Sequence, residues 1–180
     1  MLDKERIKEA EVNVKSYLQE GLLRKAEKNN DVINILLTNG KESLKVAEEI
    51  QSISDLWVIV CSYYAMFYYA NAALLSIGYK VGDKICHKVT ADALISFVRQ
   101  KLKDSLIEEY EETREEALRL AGLKADLLIE SFDFERKKRS LIQYKTLDVD
   151  KRARAETSLK RGKEFTREME KMLVERADKK

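Results

Sequence analysis

The sequence predicts an all-α fold, an up-and-down antiparallel bundle of five to seven helices formed by one domain spanning residues 1–180. The 180 residues include no proline and only 6 glycines, so the punctuation of sandwiches and barrels is missing and helices need not stop. Apolar residues recur at three- and four-residue spacing through most of the chain, the period of amphipathic helices. A chain of this length also buries a proper core without disulfides or metals.

Taken in order, Ile7, Ala10, Val14, Tyr17, Leu18 and Leu22 form one apolar stripe on a first helix whose other face is charged. The Asn29-Asn30-Asp31 cluster supplies caps for a second helix with the stripe Ile33, Leu36, Leu37, Leu44 and Ala47. Asn39-Gly40 is a weak point there, but the stripe keeps phase across it, which predicts one helix rather than two. A central helix opens after Ser54 or Asp55 and ends near Gly78, a residue that accepts the left-handed turn closing many helices. A short polar loop, Tyr79-Lys80-Val81-Gly82-Asp83-Lys84, follows.

Thr90 then reads as the cap of a helix with core residues Leu94, Phe97, Val98 and Leu102, stopping near Asp104, and with Asp92 in its first turn. Leu106, Tyr110, Ala117, Leu120 and Ala121 line the next helix, with a break expected at Gly122, after which Leu127, Leu128, Phe132 and Phe134 continue the surface. The last helix carries Ala155, Leu159, Gly162, Phe165, Met169, Met172 and Leu173, capped by Asp148 or Asp150.

From Leu56 to Ile77 there is no charged residue, a length that can cross a bilayer. Tyr63, Tyr64, Tyr68 and Tyr69 sit in its middle, whereas membrane spans keep tyrosine at their ends, so the stretch reads as the buried central helix of a bundle. No membrane association is expected. Cys61 and Cys86 lack a CxxC pattern and follow no secretory signal, which reads as two reduced thiols in a cytoplasmic protein.

The formal net charge of +2 hides an internal asymmetry. Residues 104 to 135 hold 11 acidic and 3 basic side chains, and residues 136 to 163 hold 11 basic and 3 acidic. Such blocks either pair with each other, in the fold or across a dimer, or leave a basic surface for phosphate backbones. Within the basic block Arg136, Arg139 and Gln143 fall on one helical stripe, with Lys137 and Lys138 between, and guanidiniums offer fork-shaped donors to phosphate oxygens. The ordinary alternative is a set of solvated or salt-bridged arginines.

His87 is the only histidine, which excludes a zinc site built from histidines, and no metal or cofactor is expected. It is a candidate acid or base near neutral pH, against the commoner role of a hydrogen-bonding structural residue. Phosphate-cradling glycine loops and nucleophile elbows are missing from the sequence. The run from Tyr63 to Tyr69 offers rings for base stacking, but its apolar density favours core or a dimer interface.

Ser62-Tyr63-Tyr64-Ala65-Met66-Phe67-Tyr68, then Ala72-Ala73-Leu74-Leu75-Ser76-Ile77-Gly78-Tyr79-Lys80, then His87-Lys88, resemble the HEPN family (higher eukaryotes and prokaryotes nucleotide-binding domain). The resemblance continues in Glu135-Arg136-Lys137-Lys138-Arg139, in Gln143-Tyr144, and in the helix from Ala155 to Phe165. It implies a helical bundle that dimerises, with arginine-bearing helices facing a shared cleft, and RNA or a nucleotide as ligand. It also implies relatives that are metal-independent ribonucleases, often toxins of toxin–antitoxin or defence systems, some of them beside a small nucleotidyltransferase partner.

The family's catalytic motif is an arginine followed four to six residues later by a histidine. Arg139 matches the arginine, but Tyr144 stands five residues on. A tyrosine with an ordinary pKa of about 10 is a poor base at neutral pH. The sequence therefore predicts binding through Arg136, Lys137, Lys138, Arg139 and Gln143. Arg139, Tyr144 and His87 are the candidates should cleavage occur, and a non-enzymatic interaction module is the remaining reading.

Overall fold

The computed structural model describes residues 3–130 and 151–177, with side chains described for 3–122 and 151–175. Six α-helices follow one another among these residues: α1 (Lys4–Glu20), α2 (Asn30–Glu49), α3 (Asp55–Ser76), α4 (Cys86–Phe97), α5 (Asp104–Glu130) and α6 (Lys151–Ala177). Two three-residue strands, β1 (Leu23–Lys25) and β2 (Tyr79–Val81), pair antiparallel with Arg24 opposite Lys80.

The caps explain the early boundaries. Asp3, Asn29 and Ser54 each accept a hydrogen bond from a backbone N–H in the first turn of α1, α2 and α3, satisfying donors that have no partner within the helix. Gly78, two residues beyond the end of α3, sits at φ 89°, as its place in the sequence predicts.

Helices α2, α3, α5 and α6 make the bundle, with α3 and α6 side by side at its centre. Arg152 at the start of α6 reaches Asp55 at the start of α3, while Glu170 near the end of α6 meets Tyr69 late in α3, so these two run the same way. Helix α5 runs antiparallel to α6, pairing Glu112 with Arg161 and Glu116 with Arg154. Helix α3 is the one described helix long and apolar enough to cross a membrane, but most of that stretch is buried in the bundle, as a core helix should be.

Gly40 lies inside an unbroken α2 rather than at a kink. A Cβ there would stand 2.6 Å from Tyr69 Cδ2 and 3.3 Å from the Ala65 carbonyl oxygen, so the missing side chain lets α2 and α3 approach.

The sequence expectations fail in three places beyond α3. Tyr79-Lys80-Val81 is a strand rather than loop, because Leu23, wholly buried, carries β1 alongside it. Thr90 caps nothing: α4 begins at Cys86 after Ile85 turns through φ 43°, and Thr90 is buried in the helix against the Asn71 amide. The helix then ends at Phe97, and Leu102 follows a separate 3-10 turn, Arg99–Lys101. Gly122 does not break α5, which continues to Glu130, since an isolated glycine costs a helix only about 1 kcal/mol relative to alanine. The proposed caps Asp148 and Asp150, and Phe132 and Phe134, lie outside the described residues.

Asp92 is not a first-turn acid but a fully buried carboxylate. Its Oδ1 accepts from Arg6 Nη2 at 2.6 Å, and its Oδ2 accepts from Tyr17 Oη at 2.8 Å and from Asn13 Nδ2 at 3.1 Å. Arg6 also donates to Glu111 Oε1 through Nη2 at 2.6 Å and Nε at 3.0 Å, so one guanidinium joins α1, α4 and α5.

Two stability outcomes are expected. Asp92→Ala strips the acceptors from three donors and should cost about 3–5 kcal/mol in urea unfolding, the range for breaking a buried ion pair. Gly40→Ala should destabilise by about 1–3 kcal/mol through overpacking, despite the better helix propensity of alanine; a raised unfolding midpoint would show that α2 and α3 can move apart freely.

Candidate functional site around His87

The aromatic run of α3 is divided by helical geometry. Tyr63 and Tyr69 are almost wholly buried, while Tyr64, Phe67 and Tyr68 remain partly exposed. Trp57, Cys61, Tyr64 and Tyr68 share that open stripe, at the i, i+4, i+7, i+11 spacing of one helix face. Trp57 is 49% exposed and Tyr64 36%.

The first turn of α4 sets His87 against this stripe. The imidazole packs on Phe67 with ring centroids 4.7 Å apart, and Tyr63 and Tyr64 stand beside it at 5.5 and 5.9 Å. Its Nδ1 lies 2.7 Å from Tyr63 Oη. Burial, and then the Tyr110 hydroxyl beside it, push the Tyr63 phenol far above its ordinary value, so it keeps its proton. Burial first, and the charge of Arg114 second, hold the His87 pKa below 6.5. The neutral imidazole and the protonated phenol share one hydrogen bond, whose direction follows the histidine tautomer, and the ring carries one N–H donor and one acceptor nitrogen.

Arg114 supplies the cation. Its Nη1 is buried and makes no hydrogen bond to a described residue, and the nearest carboxylate oxygen, on Glu111, is 4.0 Å away. One turn earlier on α5 the buried Tyr110 hydroxyl stands beside that of Tyr63. Unsatisfied buried donors are uncommon in folded proteins, and the Arg114 nitrogen is one among the described residues, within electrostatic reach of Tyr63. The arrangement brings together a guanidinium, a neutral imidazole and half-exposed rings, a set that suits an anionic group attached to a planar one.

Among the residues singled out from the sequence, only His87 lies within the described structure. Arg136, Lys137, Lys138, Arg139, Gln143 and Tyr144 lie outside the described residues. Arg114 and Tyr110 escaped the sequence reading, although a lone arginine among the acids of 104 to 116, four residues after a tyrosine, is a signal that could have found them. Both cysteines are unbridged, and the described residues contain no group of three acidic, histidine or cysteine side chains able to hold a metal.

Four of the 11 basic side chains of the block are committed to carboxylates of the fold. Arg152 pairs with Asp55 and Glu156, Arg154 with Glu116, Arg161 with Glu112 and Lys163 with Glu48. The acidic and basic blocks thus pair across α5 and α6.

With one histidine, a single imidazole resonance follows the site in a proton NMR titration. Its midpoint should fall below 6.5, and Arg114→Gln, which removes the neighbouring positive charge, should move it upward; a wild-type midpoint at or above 6.5 would contradict a neutral imidazole. The unfolded chain takes up this proton at higher pH than the folded one. The stability from the neutral ring is therefore complete above about pH 6.5 and lost as pH falls through the folded-state pKa, a slope that His87→Gln should flatten. Comparison of the chain with family models, with curated proteins and with solved structures finds no match.

Proposed function

We propose that this chain is a HEPN-like protein that binds RNA or a nucleotide, stacking a base on the Tyr64, Phe67 and Tyr68 face and holding phosphate at Arg114 and the Arg136–Arg139 cluster. The observation that supports this reading is the Arg114 guanidinium nitrogen, buried without a hydrogen bond to a described residue and within electrostatic reach of a neutral His87. Base stacking on an aromatic ring is worth about 1–3 kcal/mol and tolerates any sequence, while cations follow the backbone. Arg136, Lys137, Lys138, Arg139 and Gln143 extend the cation set, since α6 spends its own basic residues within the bundle.

A second reading, a metal-independent ribonuclease of a toxin–antitoxin or defence system, is favoured by the same pairing of an arginine with the only histidine. It requires Arg114 or Arg139 to stabilise phosphate charge while His87 or Tyr144 handles the proton. In a third reading the chain is an interaction module. A homodimer, a nucleotidyltransferase partner and a cytoplasmic setting belong to the HEPN-like reading and are proposed with it.

Fluorescence anisotropy with labelled single-stranded RNA, in chelator and at two salt concentrations, tests the proposal. Affinity should fall with salt, and Arg136→Ala with Arg139→Ala should reduce the log–log slope by about 0.7 for each phosphate they leave without a cation. Tyr64→Ala should weaken binding by about 1–3 kcal/mol with little change in slope. Binding that ignores salt and all three substitutions would remove the reading. RNA cleavage in chelator, lost in His87→Gln, would move it to the ribonuclease.

A further inference from the structure

The far end of the bundle holds a groove of about 1350 Å³ where α2 and α5 begin and α3 and α6 end. This exceeds the roughly 300–1,000 Å³ of common small-molecule pockets and leaves room for an extended chain. Ile33 and Leu37 of α2, Ile77 after α3, Leu106 of α5, and Met172 and Leu173 of α6 make its floor. None of the described lining residues is aromatic, so a planar base finds nothing to stack on.

Five lysines, Lys28, Lys41, Lys101, Lys103 and Lys171, stand around this aliphatic floor with three glutamates. Two of the glutamates are already held: Glu170 by Lys41 at 3.1 Å and by the Tyr69 hydroxyl at 2.7 Å, and Glu168 by Lys171 at 2.7 Å. Lys28 and Lys103, both exposed, form no ion pair with a described residue. The groove therefore combines an aliphatic trough with two ammonium groups that are held in no described ion pair, and Glu175 is its one lining carboxylate without a described pair.

We propose that this groove binds a single-chain amphiphilic anion, a linear alkyl chain along Ile33, Leu37, Leu106 and Leu173 with its carboxylate or phosphate head between Lys28 and Lys103. Alkyl chains gain by leaving water in proportion to their length, and an ammonium pair fixes which end stays at the rim. The site is independent of the His87 cluster and does not require the RNA-binding reading.

Calorimetric titration with octanoate, decanoate and dodecanoate, each below its self-association concentration, provides the test. Affinity should rise by up to about fourfold per added methylene, which is about 0.8 kcal/mol of transfer free energy. In the Lys28→Glu, Lys103→Glu double variant dodecanoate binding should weaken about tenfold or more, as expected for losing hydrogen bonds to a charged group, while binding of uncharged decan-1-ol stays unchanged. With methyl-labelled methionine, dodecanoate should shift the Met172 signal and leave Met66, buried in the main core, in place. A titration without saturation, an affinity indifferent to chain length or to charge reversal, or an unmoved Met172 methyl would overturn the proposal. So would binding to phosphatidylglycerol vesicles with none to monomeric dodecanoate, which would make the groove a membrane-docking surface.

Discussion

A carboxylate taken wholly out of water is costly unless its charge is matched and its oxygens are filled, and Asp92 meets both requirements with groups from a different helix. Arg6, Asn13 and Tyr17 all belong to α1, so its docking on α4 is written into one buried acceptor. Because Arg6 continues to Glu111, the same charge fixes the distance from α4 to α5. His87 stands on α4 and Arg114 one turn beyond Glu111 on α5. The relation between imidazole and guanidinium is therefore set largely by an ion-pair network centred on Arg6, which Arg114 meets only at 4.0 Å through Glu111.

Local pattern made most of the helices legible and misled where tertiary packing decides. The stripe through Ile33, Leu37, Leu44 and Ala47 stayed in phase across Gly40, and the helix is continuous; that Gly40 is an approach site for Tyr69 depends on a separate helix further along the chain, which no periodicity reports. Thr90 and Asp92 look like a cap and a first-turn acid because those residue types favour helix starts. Here the same side chains are consumed by Asn71 and Arg6, partners from other helices. The same blindness hid β1, since Leu22 continues the α1 stripe on paper while the left-handed Gly21 ends the helix before it.

Charge shows the complementary failure. A block of 11 basic side chains looks like a surface for polyanions, yet its α6 half faces acids on α2, α3 and α5. Exposed ion pairs of this kind contribute at most about 1 kcal/mol each, so their main consequence is electrostatic: they cancel the long-range field of α6. Any salt-dependent attraction then rests mainly on residues 136 to 145. His87 was visible as the lone titratable candidate, but its neighbours were not, because Tyr63, Tyr110 and Arg114 converge only after three helices pack.

The two ends of α3 differ in a way that separates the two candidate sites. Tyr63, Tyr64 and Phe67 stand around His87, while Ala72 and Leu75, nearer the end of α3, pack with Ile33, Leu37 and Leu173 of the groove. Rings offer flat polarisable faces beside a guanidinium, whereas alanines let α2 and α6 close in and bring Ile33, Leu37 and Leu173 together into an aliphatic surface. A planar guest gains by stacking at the first end and finds no ring at the second; a flexible chain gains by burial at the second and would have to displace packed aromatics at the first. One helix thus offers chemically opposite surfaces at its two ends, and a ligand selected by either would be a poor competitor at the other.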